Sequence, residues 1–157
     1  MDFSIPKHFT TGVLSGEDLQ FFYYDICLDN FQDWPLIYDW DSVVAEFDSI
    51  LDIDACTTAK IPQDFIPNQI RFTLSNKDKN SKSAAFFRHL RNAFAHYHVT
   101  REGDNFVLTD NAKNITMRGL VNAELLKTFC FRFFDFRENI INGYENFNDT
   151  LNTNNLT

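Results

Sequence analysis

Phenylalanine constrains the fold of this chain more than any other residue type. The 157 residues include 18 phenylalanines but only five glycines and four prolines. Large aromatic side chains favour burial, and few residues are present that would break a helix or form tight turns. The sequence therefore predicts one compact, mainly helical domain over residues 1–157, with 1–14 and 144–157 as peripheral extensions. A chain of this length buries enough surface to fold without a disulfide or a metal ion.

The sequence argues against several classes of protein. No apolar run is long enough to span a membrane, and the first ten residues lack the basic and apolar regions of a signal peptide. We therefore expect a cytoplasmic protein with no membrane partner. Cys27, Cys56 and Cys130 are odd in number and form no C-x-x-C pair, so we expect three reduced thiols. Motifs of nucleotide-cofactor, P-loop, serine-hydrolase and zinc-protease sites are absent from the sequence.

Charge is distributed unevenly along the chain. The formal net charge of −8 argues against a nucleic-acid partner when taken alone, because acidic surfaces repel phosphates. Residues 1–66 contain two basic and 13 acidic residues, a net charge of −11, whereas residues 67–157 contain 12 basic and nine acidic residues, a net charge of +3. Between residues 77 and 101, six basic residues accompany one acid, a net charge of +5. The sequence thus predicts an acidic flank and a basic segment that could bind phosphate locally.

Hydrophobic periodicity in the first half of the chain predicts two helices and a long connection. The first helix begins at Ser15, a residue type typical of N-caps, and has an acid, Asp18, three positions later. The second helix follows Pro35 and extends to about residue 54. Residues 55–79 contain two prolines and no clear period, so they predict a connection with one short helical turn or strand at most.

The second half of the chain predicts two further helices separated by a hairpin. A third helix runs from a cap at Ser81 or Ser83 to about His96. Two short β-prone runs flank a polar turn and predict a small β-hairpin near residues 105–118. A fourth helix is predicted over about residues 120–140. Together these elements predict an all-α fold, a bundle of four to five helices in which the hairpin is an insertion.

A cluster of histidines marks the segment in which we expect a functional site. His89, His96 and His98 lie within ten residues, and on a helix His89, Asn92 and His96 fall on one stripe. Arg91 lies about 7.5 Å along the helix axis from His96. A guanidinium offers a fixed fork of donors for a phosphate, and an imidazole exchanges protons near neutral pH. The amide of Asn92 could orient either of these groups. Together, the three side chains predict a site that binds a phosphodiester and acts on it.

Residues 91–96, with the sequence Arg-Asn-Ala-Phe-Ala-His, resemble the R-x4-6-H signature of the HEPN superfamily, including the polar residue directly after the arginine. The order of the predicted elements is also similar to that of HEPN domains over roughly residues 15–142. The resemblance implies a HEPN-like helical bundle and metal-independent endoribonuclease activity on single-stranded RNA, with no cofactor and no metal ion. It also implies a homodimer in which two copies of the motif helix form a composite active site.

The resemblance assigns a role to each motif residue. His96 would be the general base for a ribose 2′-OH, Arg91 would hold and stabilise the scissile phosphate, and Asn92 would position both. Internal attack by the 2′-oxygen would leave a 2′,3′-cyclic phosphate and a free 5′-OH. Many HEPN proteins resemble toxins of toxin–antitoxin pairs or effectors of antiviral defence, so the resemblance implies such a role here. Further substrate contacts are predicted for the basic and imidazole side chains around the motif: Lys82, Arg88, His89 and His98.

The same residues are also compatible with structural roles and with different functions. His98 would suit a helix C-terminus, where an imidazolium interacts well with the helix dipole, and His89 would suit a partly buried position. One alternative function is a non-catalytic HEPN-like protein that binds a nucleotide or a protein partner, such as a cognate antitoxin or a nucleotidyltransferase. Another is a helical interaction protein in which the motif is coincidental. The surplus of phenylalanine favours a buried aromatic interface between two copies of the chain.

Overall fold

The fold combines helices with a mixed β-sheet. The computed structural model describes residues 13–28, 40–75, 81–136 and 138. The first helical segment is α-helical in its first five residues and π-helical in the next seven. A short 3-10 turn follows the first strand. In chain order the elements are α1 (Gly16–Gln20, continued by the π-helical Phe21–Cys27), α2 (Trp40–Phe47), β1 (Asp52–Cys56), the 3-10 turn (Thr58–Lys60), β2 (Gln69–Thr73), α3 (Lys82–Ala95), β3 (Val99–Glu102), β4 (Asn105–Asn111), β5 (Ile115–Asn122) and α4 (123–136).

The predicted all-α bundle is wrong, because five strands form one sheet in the order β1-β2-β5-β4-β3. Strands β1 and β2 are parallel, and every other neighbouring pair is antiparallel. The predicted hairpin exists as β4 and β5, but it is longer than expected and its second strand is the centre of the sheet. The hairpin is therefore part of the scaffold and not an insertion into a helical bundle.

Two strands occupy segments for which the sequence predicts a helix end and a connection. Helix α2 ends at Phe47, not near residue 54, because from Leu51 onward apolar and acidic residues alternate. Leu51 and Ile53 are 2% exposed, as expected for the inward face of a strand. In β2, Ile70 and Phe72 are fully buried between polar neighbours. Residues 57–68 make the crossover that two adjacent parallel strands require.

The predicted start of the first helix is confirmed. The Asp18 N–H donates to Ser15 Oγ (3.1 Å), and the Ser15 N–H donates to Asp18 Oδ2 (3.0 Å), a reciprocal capping box. Asp18 is fully buried, and its carboxylate accepts hydrogen bonds from Arg101 Nε (2.8 Å) and Lys127 Nζ (2.9 Å). Three distant segments of the chain are thus joined by one carboxylate.

The fourth helix begins later than predicted, at residue 123, because residues 120–122 belong to β5. Of the extensions predicted at 1–14 and 144–157, only residues 13 and 14 lie within the described parts of the chain. Among the described residues, no helix combines the length and apolar character needed to cross a membrane.

Aromatic side chains fill the space between the helices and the sheet. Trp40 of α2 lies with its ring centroid 5.6 Å from those of Phe72 of β2, Phe86 of α3 and Phe129 of α4. All three phenylalanines are 1% exposed or less. Offset and edge-on aromatic pairs of this kind add to the free energy of burying the rings. Much of the phenylalanine content is therefore used inside the fold of one chain.

Beyond the core, the crossover packs on β5. The Arg118 guanidinium donates to the carbonyl oxygens of Pro62 and Gln63 and lies 5.3 Å from the centroid of the Phe65 ring. In the adjacent register, Gly119 pairs with Ile70 of β2. A Cβ at Gly119 would lie 2.6 Å from Ile70 Cγ1, so this approach of two strands requires glycine.

Candidate active site

Helix α3 carries the motif, and both of its ends are defined by local interactions. Ser81, one of the two predicted caps, accepts a hydrogen bond from the Ala84 N–H (3.2 Å). The helix then runs to Ala95 with His96 as its C-cap, close to the predicted boundaries. Phe94, inside the motif, stacks on Phe22 of the π-helical segment with a centroid distance of 5.2 Å and an angle of 7°. This stack holds the end of the motif helix against the first helical segment.

The C-terminus of α3 is a Schellman motif. The His98 N–H donates to Ala93 O (2.7 Å), and the Tyr97 N–H donates to Phe94 O (3.0 Å). Tyr97 therefore has a left-handed backbone with φ of 60°. For a residue with a Cβ, this conformation costs about 1–2 kcal/mol relative to right-handed backbone. The turn leaves the side chains of residues 96–98 exposed to solvent.

His96 and His98 lie side by side on this turn. Their ring centroids are 6.3 Å apart and the rings are inclined by 39°. The His98 carbonyl accepts a hydrogen bond from the Thr109 N–H (3.1 Å), so the backbone of this turn is tied to β4. His98 lies just beyond the helix C-terminus, a position that also suits a purely structural role. An exposed imidazole at His96 can reach a substrate without displacing protein atoms.

Arg91 lies one turn and a half before His96 and is half-buried. In the part of the chain that the structure describes, its guanidinium has no carboxylate partner. It lies close enough to Cys27 to act on the thiol: burial raises the pKa of Cys27, and the positive charge of Arg91 opposes that rise. The charge of Arg91 is therefore felt at the end of the π-helical segment and is not compensated by any described acid.

His89 is buried and structural in its contacts. It is 1% exposed, with Nδ1 2.7 Å from Asp110 Oδ2 and Nε2 2.8 Å from the Thr73 carbonyl oxygen. A carbonyl oxygen only accepts, so Nε2 carries a proton, and a carboxylate oxygen at Nδ1 requires a second one. The ring is therefore an imidazolium in a buried ion pair. Both nitrogens are occupied, so His89 has no free polar atom for the substrate contact predicted for it.

Asp110 links this pair to the motif. Its Oδ2 also lies 3.4 Å from Asn92 Nδ2, so Asn92 is oriented by β4. Burial raises the pKa of Asp110, but the hydrogen bond and the charge of His89, with the hydrogen bond from Asn92, together lower it below the usual value. The carboxylate thus stays ionised at neutral pH and anchors two residues of α3 to the sheet.

The remaining predicted contact residues are not gathered around His96. Lys82 begins α3, about 21 Å along the helix axis from His96, and its Nζ is paired with Asp54 Oδ1 at 2.9 Å. Arg88 is half-buried, and its Nη2 lies 3.4 Å from His89 Nε2. Arg88 therefore faces the buried pair.

Asp110 and Tyr97 were not predicted as part of the site. Asp110 follows Phe106 and Leu108 at alternate positions of a β-prone run, so its inward direction could be inferred from the period of the strand. A buried acid on that face requires a cationic partner. The residue type of Tyr97 favours a core or dimer contact, and its exposed position could not be inferred because its backbone conformation is set by the helix terminus. Nowhere in the described segments do three or more His, Cys, Asp or Glu side chains cluster so as to hold a metal ion.

Comparison with known proteins agrees with the motif. A protein-family model described as HEPN pEK499 p136 matches residues 28–143, nearly three quarters of the chain. The matched segment includes all of α3 and residues 91–96. No curated protein and no solved structure matches the chain. Because the family model covers well over half of the residues, the chain belongs to the HEPN family that this model describes.

Proposed function

We propose that this protein is a metal-independent endoribonuclease that cleaves single-stranded RNA with Arg91, Asn92 and His96. The observation that carries the proposal is the condition of Arg91 and His96 at the end of α3. Among the described residues Arg91 has no carboxylate partner, and His96 presents an exposed imidazole. A guanidinium and an imidazole in this arrangement can bind a phosphate and move a proton beside it.

The proposed reaction is an internal transfer of the phosphoryl group. His96 takes the proton of the ribose 2′-OH, and the 2′-oxygen forms a bond to phosphorus while the bond to the 5′-oxygen breaks. The leaving 5′-oxygen acquires a proton, which gives a 5′-OH and a 2′,3′-cyclic phosphate. Arg91 stabilises the additional negative charge of the phosphoryl oxygens in the transition state. DNA lacks the nucleophile, so the reaction is restricted to RNA.

Local charge supports RNA binding at the end of α3 despite the net charge of −8. Two cations of the basic segment are compensated by acids, since Lys82 pairs with Asp54 and Arg101 with Asp18. Arg91 precedes the exposed rings of residues 96–98 on the same helix end and has no such compensation in the described chain. We therefore expect phosphate to bind at this end of the helix, and the acidic flank to keep RNA away from other surfaces.

We also propose that two copies of the chain complete the site. Tyr24 and Leu28 lie within three residues of Cys27, whose thiol pKa is raised by burial and lowered by the charge of Arg91, and are 61% and 63% exposed. Apolar side chains next to a functional guanidinium fit a surface that a second copy covers. In the resulting homodimer, the C-terminal ends of two α3 helices would face each other across a two-fold axis. Sedimentation at micromolar concentration should therefore give a dimer, and a fully active monomer would refute the shared site.

The enzymatic proposal is tested by cleavage of single-stranded RNA in EDTA. We expect wild-type protein to cleave it, and Arg91→Ala and His96→Ala to reduce the rate at least 100-fold with unchanged circular dichroism. General acid–base catalysis contributes about 10²–10⁴-fold, and one donor to a developing negative charge about 10²–10³-fold. Lys60→Ala is the matched control, because it removes an exposed positive charge from the 3-10 turn between β1 and β2. Full activity of His96→Ala would refute its assignment as the base. Binding without cleavage by wild-type protein would favour the non-catalytic alternative.

The biological consequence of such an activity would be toxicity to the producing cell. Cleavage of cellular RNA stops protein synthesis, which is the effect expected of a toxin or an antiviral defence effector. Induced expression of wild-type protein should therefore arrest growth, whereas His96→Ala should not. Rescue by a co-expressed neighbouring gene would identify a cognate antitoxin, and equal growth of both strains would contradict the proposed role.

A further inference from the structure

Tyr97 is the most exposed of the large hydrophobic side chains in the described chain, at 91%. The phenylalanines on the preceding helix behave differently: Phe86 and Phe87 are fully buried, and Phe94 stacks on Phe22. Within the described residues, the Tyr97 ring has no aromatic neighbour and its hydroxyl has no hydrogen-bond partner. Burial in the monomer therefore does not account for an aromatic residue at this position.

The backbone conformation of Tyr97 is a second, independent indication that packing within the monomer does not account for this residue. The position after a helix C-cap in a Schellman motif needs positive φ, and glycine adopts this conformation without strain. Tyr97 adopts it with φ of 60°, while its ring gains no contact with the described protein. A strained residue that packs against nothing is a candidate for binding something outside the chain.

The surroundings of Tyr97 indicate what would bind. The residues on either side are His96 and His98, both exposed, with ring centroids 6.3 Å apart. A phosphate held by Arg91 next to His96 would place the adjoining nucleotide within reach of residue 97. The Tyr97 side chain is 91% exposed, and stacking on an aromatic ring is the usual means by which proteins hold single-stranded bases.

We propose that Tyr97 is a substrate-binding residue that stacks on a base of single-stranded RNA next to the scissile phosphate. The proposal rests on the ribonuclease function proposed above and adds a specificity element to it. Stacking accepts any base, so Tyr97 confers preference for unpaired RNA over duplex, whose bases are already stacked. Sequence preference from this contact is weak, because every base has a π-face.

The experiment compares Tyr97→Phe with Tyr97→Leu. Both keep a Cβ at the left-handed position, so both retain the same backbone strain, but only phenylalanine keeps the ring. The probe is a 2′-O-methyl RNA oligonucleotide with 2-aminopurine, which lacks the nucleophile and loses fluorescence on stacking. We expect Tyr97→Phe to bind within about twofold of wild type and Tyr97→Leu to bind about 5- to 150-fold more weakly with less quenching. The KM for cleavable RNA should rise in parallel, with a smaller change in kcat.

The outcomes separate this inference from the proposed function. Cleavage and binding that are equal in Tyr97→Leu and wild type would overturn the stacking contact and leave the ribonuclease intact. Quenching that depends on the ring, without any cleavage of RNA, would support the contact and refute the enzyme. If Tyr97→Leu weakens self-association in sedimentation and leaves the affinity of each dimer for the probe unchanged, Tyr97 belongs to a subunit interface, which also overturns the inference. Absence of probe binding by wild-type protein overturns it as well.

Discussion

Replacing Asp110 should destabilise the fold by an amount that depends on what replaces the carboxylate. The side chains of Asp110 and His89 are 7% and 1% exposed, and His89 donates through both ring nitrogens. In Asp110→Ala the imidazolium would be buried without its counter-charge, and breaking one side of a buried pair costs about 3–5 kcal/mol. The ring can instead lose the Nδ1 proton, which leaves a buried acceptor unpaired at a cost of about 1–3 kcal/mol. The lost hydrogen bond of Asn92 adds about 1 kcal/mol.

Asp110→Ala should therefore lower the free energy of unfolding by about 3 kcal/mol at pH 7, a large fraction of the roughly 5–15 kcal/mol typical of a protein domain. Asp110→Asn should cost only about 1 kcal/mol, because its amide can donate to a neutral Nδ1 while Nε2 still donates to the Thr73 carbonyl. Urea unfolding followed by circular dichroism measures both values. Asp48→Ala, an exposed acid just after α2, is the control and should change stability by less than about 0.5 kcal/mol.

Two results would refute this reasoning. A cost below about 1 kcal/mol for Asp110→Ala would mean that the buried pair contributes nothing that water cannot replace. An equal cost for the alanine and asparagine variants would mean that hydrogen-bond replacement at Nδ1 does not occur. The Asp110 carboxylate also orients Asn92. We therefore expect Asp110→Asn to lower the kcat of RNA cleavage even under conditions in which the variant is fully folded.

Three further predictions concern the scaffold. Gly119→Ala should destabilise the sheet by about 1–3 kcal/mol because the new Cβ would lie 2.6 Å from Ile70 Cγ1, whereas Gly16→Ala has open space and should be neutral or stabilising; equal unfolding midpoints would contradict this. Tyr97→Gly should raise the free energy of unfolding by about 0.5–1 kcal/mol, because relief of the left-handed strain is larger than the cost of the conformational entropy that glycine loses on folding. A loss of stability would count against strain at this position. Burial raises the pKa of Asp18, but hydrogen bonds from Arg101, Lys127 and the Ser15 N–H together lower this pKa well below 3.8. The stability that Asp18 contributes is therefore complete above pH 3.8 and is lost as the pH falls towards the pKa of the folded state. Asp18→Asn should therefore cost about 3–5 kcal/mol at pH 7 and progressively less below pH 3.8, and a cost independent of pH would contradict the role of the ion pairs.

The motif helix could be predicted from sequence because its signals are local. Ser81, one of the two predicted caps, lies directly before a run with helical period, and the predicted end at His96 is within one residue of the observed end at Ala95. The first helix start was found for the same reason, from the capping pair at Ser15 and Asp18. The π-helical geometry that follows buries Phe21 and leaves Tyr23 53% exposed. It could not be predicted, because the apolar pattern of the sequence does not distinguish π from α periodicity.

The pairing of β1 and β2 could not be predicted because these strands are short and their pairing is not local. Strands β1 and β2 have five residues each, and their alternation of apolar and polar residues was the available signal. Ile70 is buried because it meets Gly119, far along the chain, and nothing near Ile70 in sequence specifies that contact. The same limit applied to the site: Asp110 joins His89 and Asn92 only because β4 packs beside α3. The signals that specify the motif helix are local in sequence, whereas the contacts that hold its side chains in place come from distant parts of the chain.

Half of the phenylalanines of the chain are buried inside the described fold. The aromatic surplus alone favours an interface between two copies of the chain. The described core already contains nine buried phenylalanines, so the surplus by itself is not evidence for a dimer: Phe21, Phe22, Phe47, Phe72, Phe86, Phe87, Phe106, Phe129 and Phe133. A sheet covered by helices needs large side chains to fill the layer between them, which an all-α expectation does not provide for. The proposed dimer therefore rests on the exposed residues near Arg91.

Mass spectrometry of the RNA fragments produced in EDTA tests the ribonuclease assignment most directly. Attack by the 2′-oxygen leaves a 2′,3′-cyclic phosphate on one fragment and a 5′-OH on the next, whereas attack by water at the other bond leaves a 3′-OH and a 5′-phosphate. We expect wild-type protein to give only the cyclic phosphate, with no product from His96→Ala or from RNA blocked at the 2′-oxygens. Fragments with 3′-OH ends, cleavage of the blocked RNA, or the same products from His96→Ala would contradict the assignment.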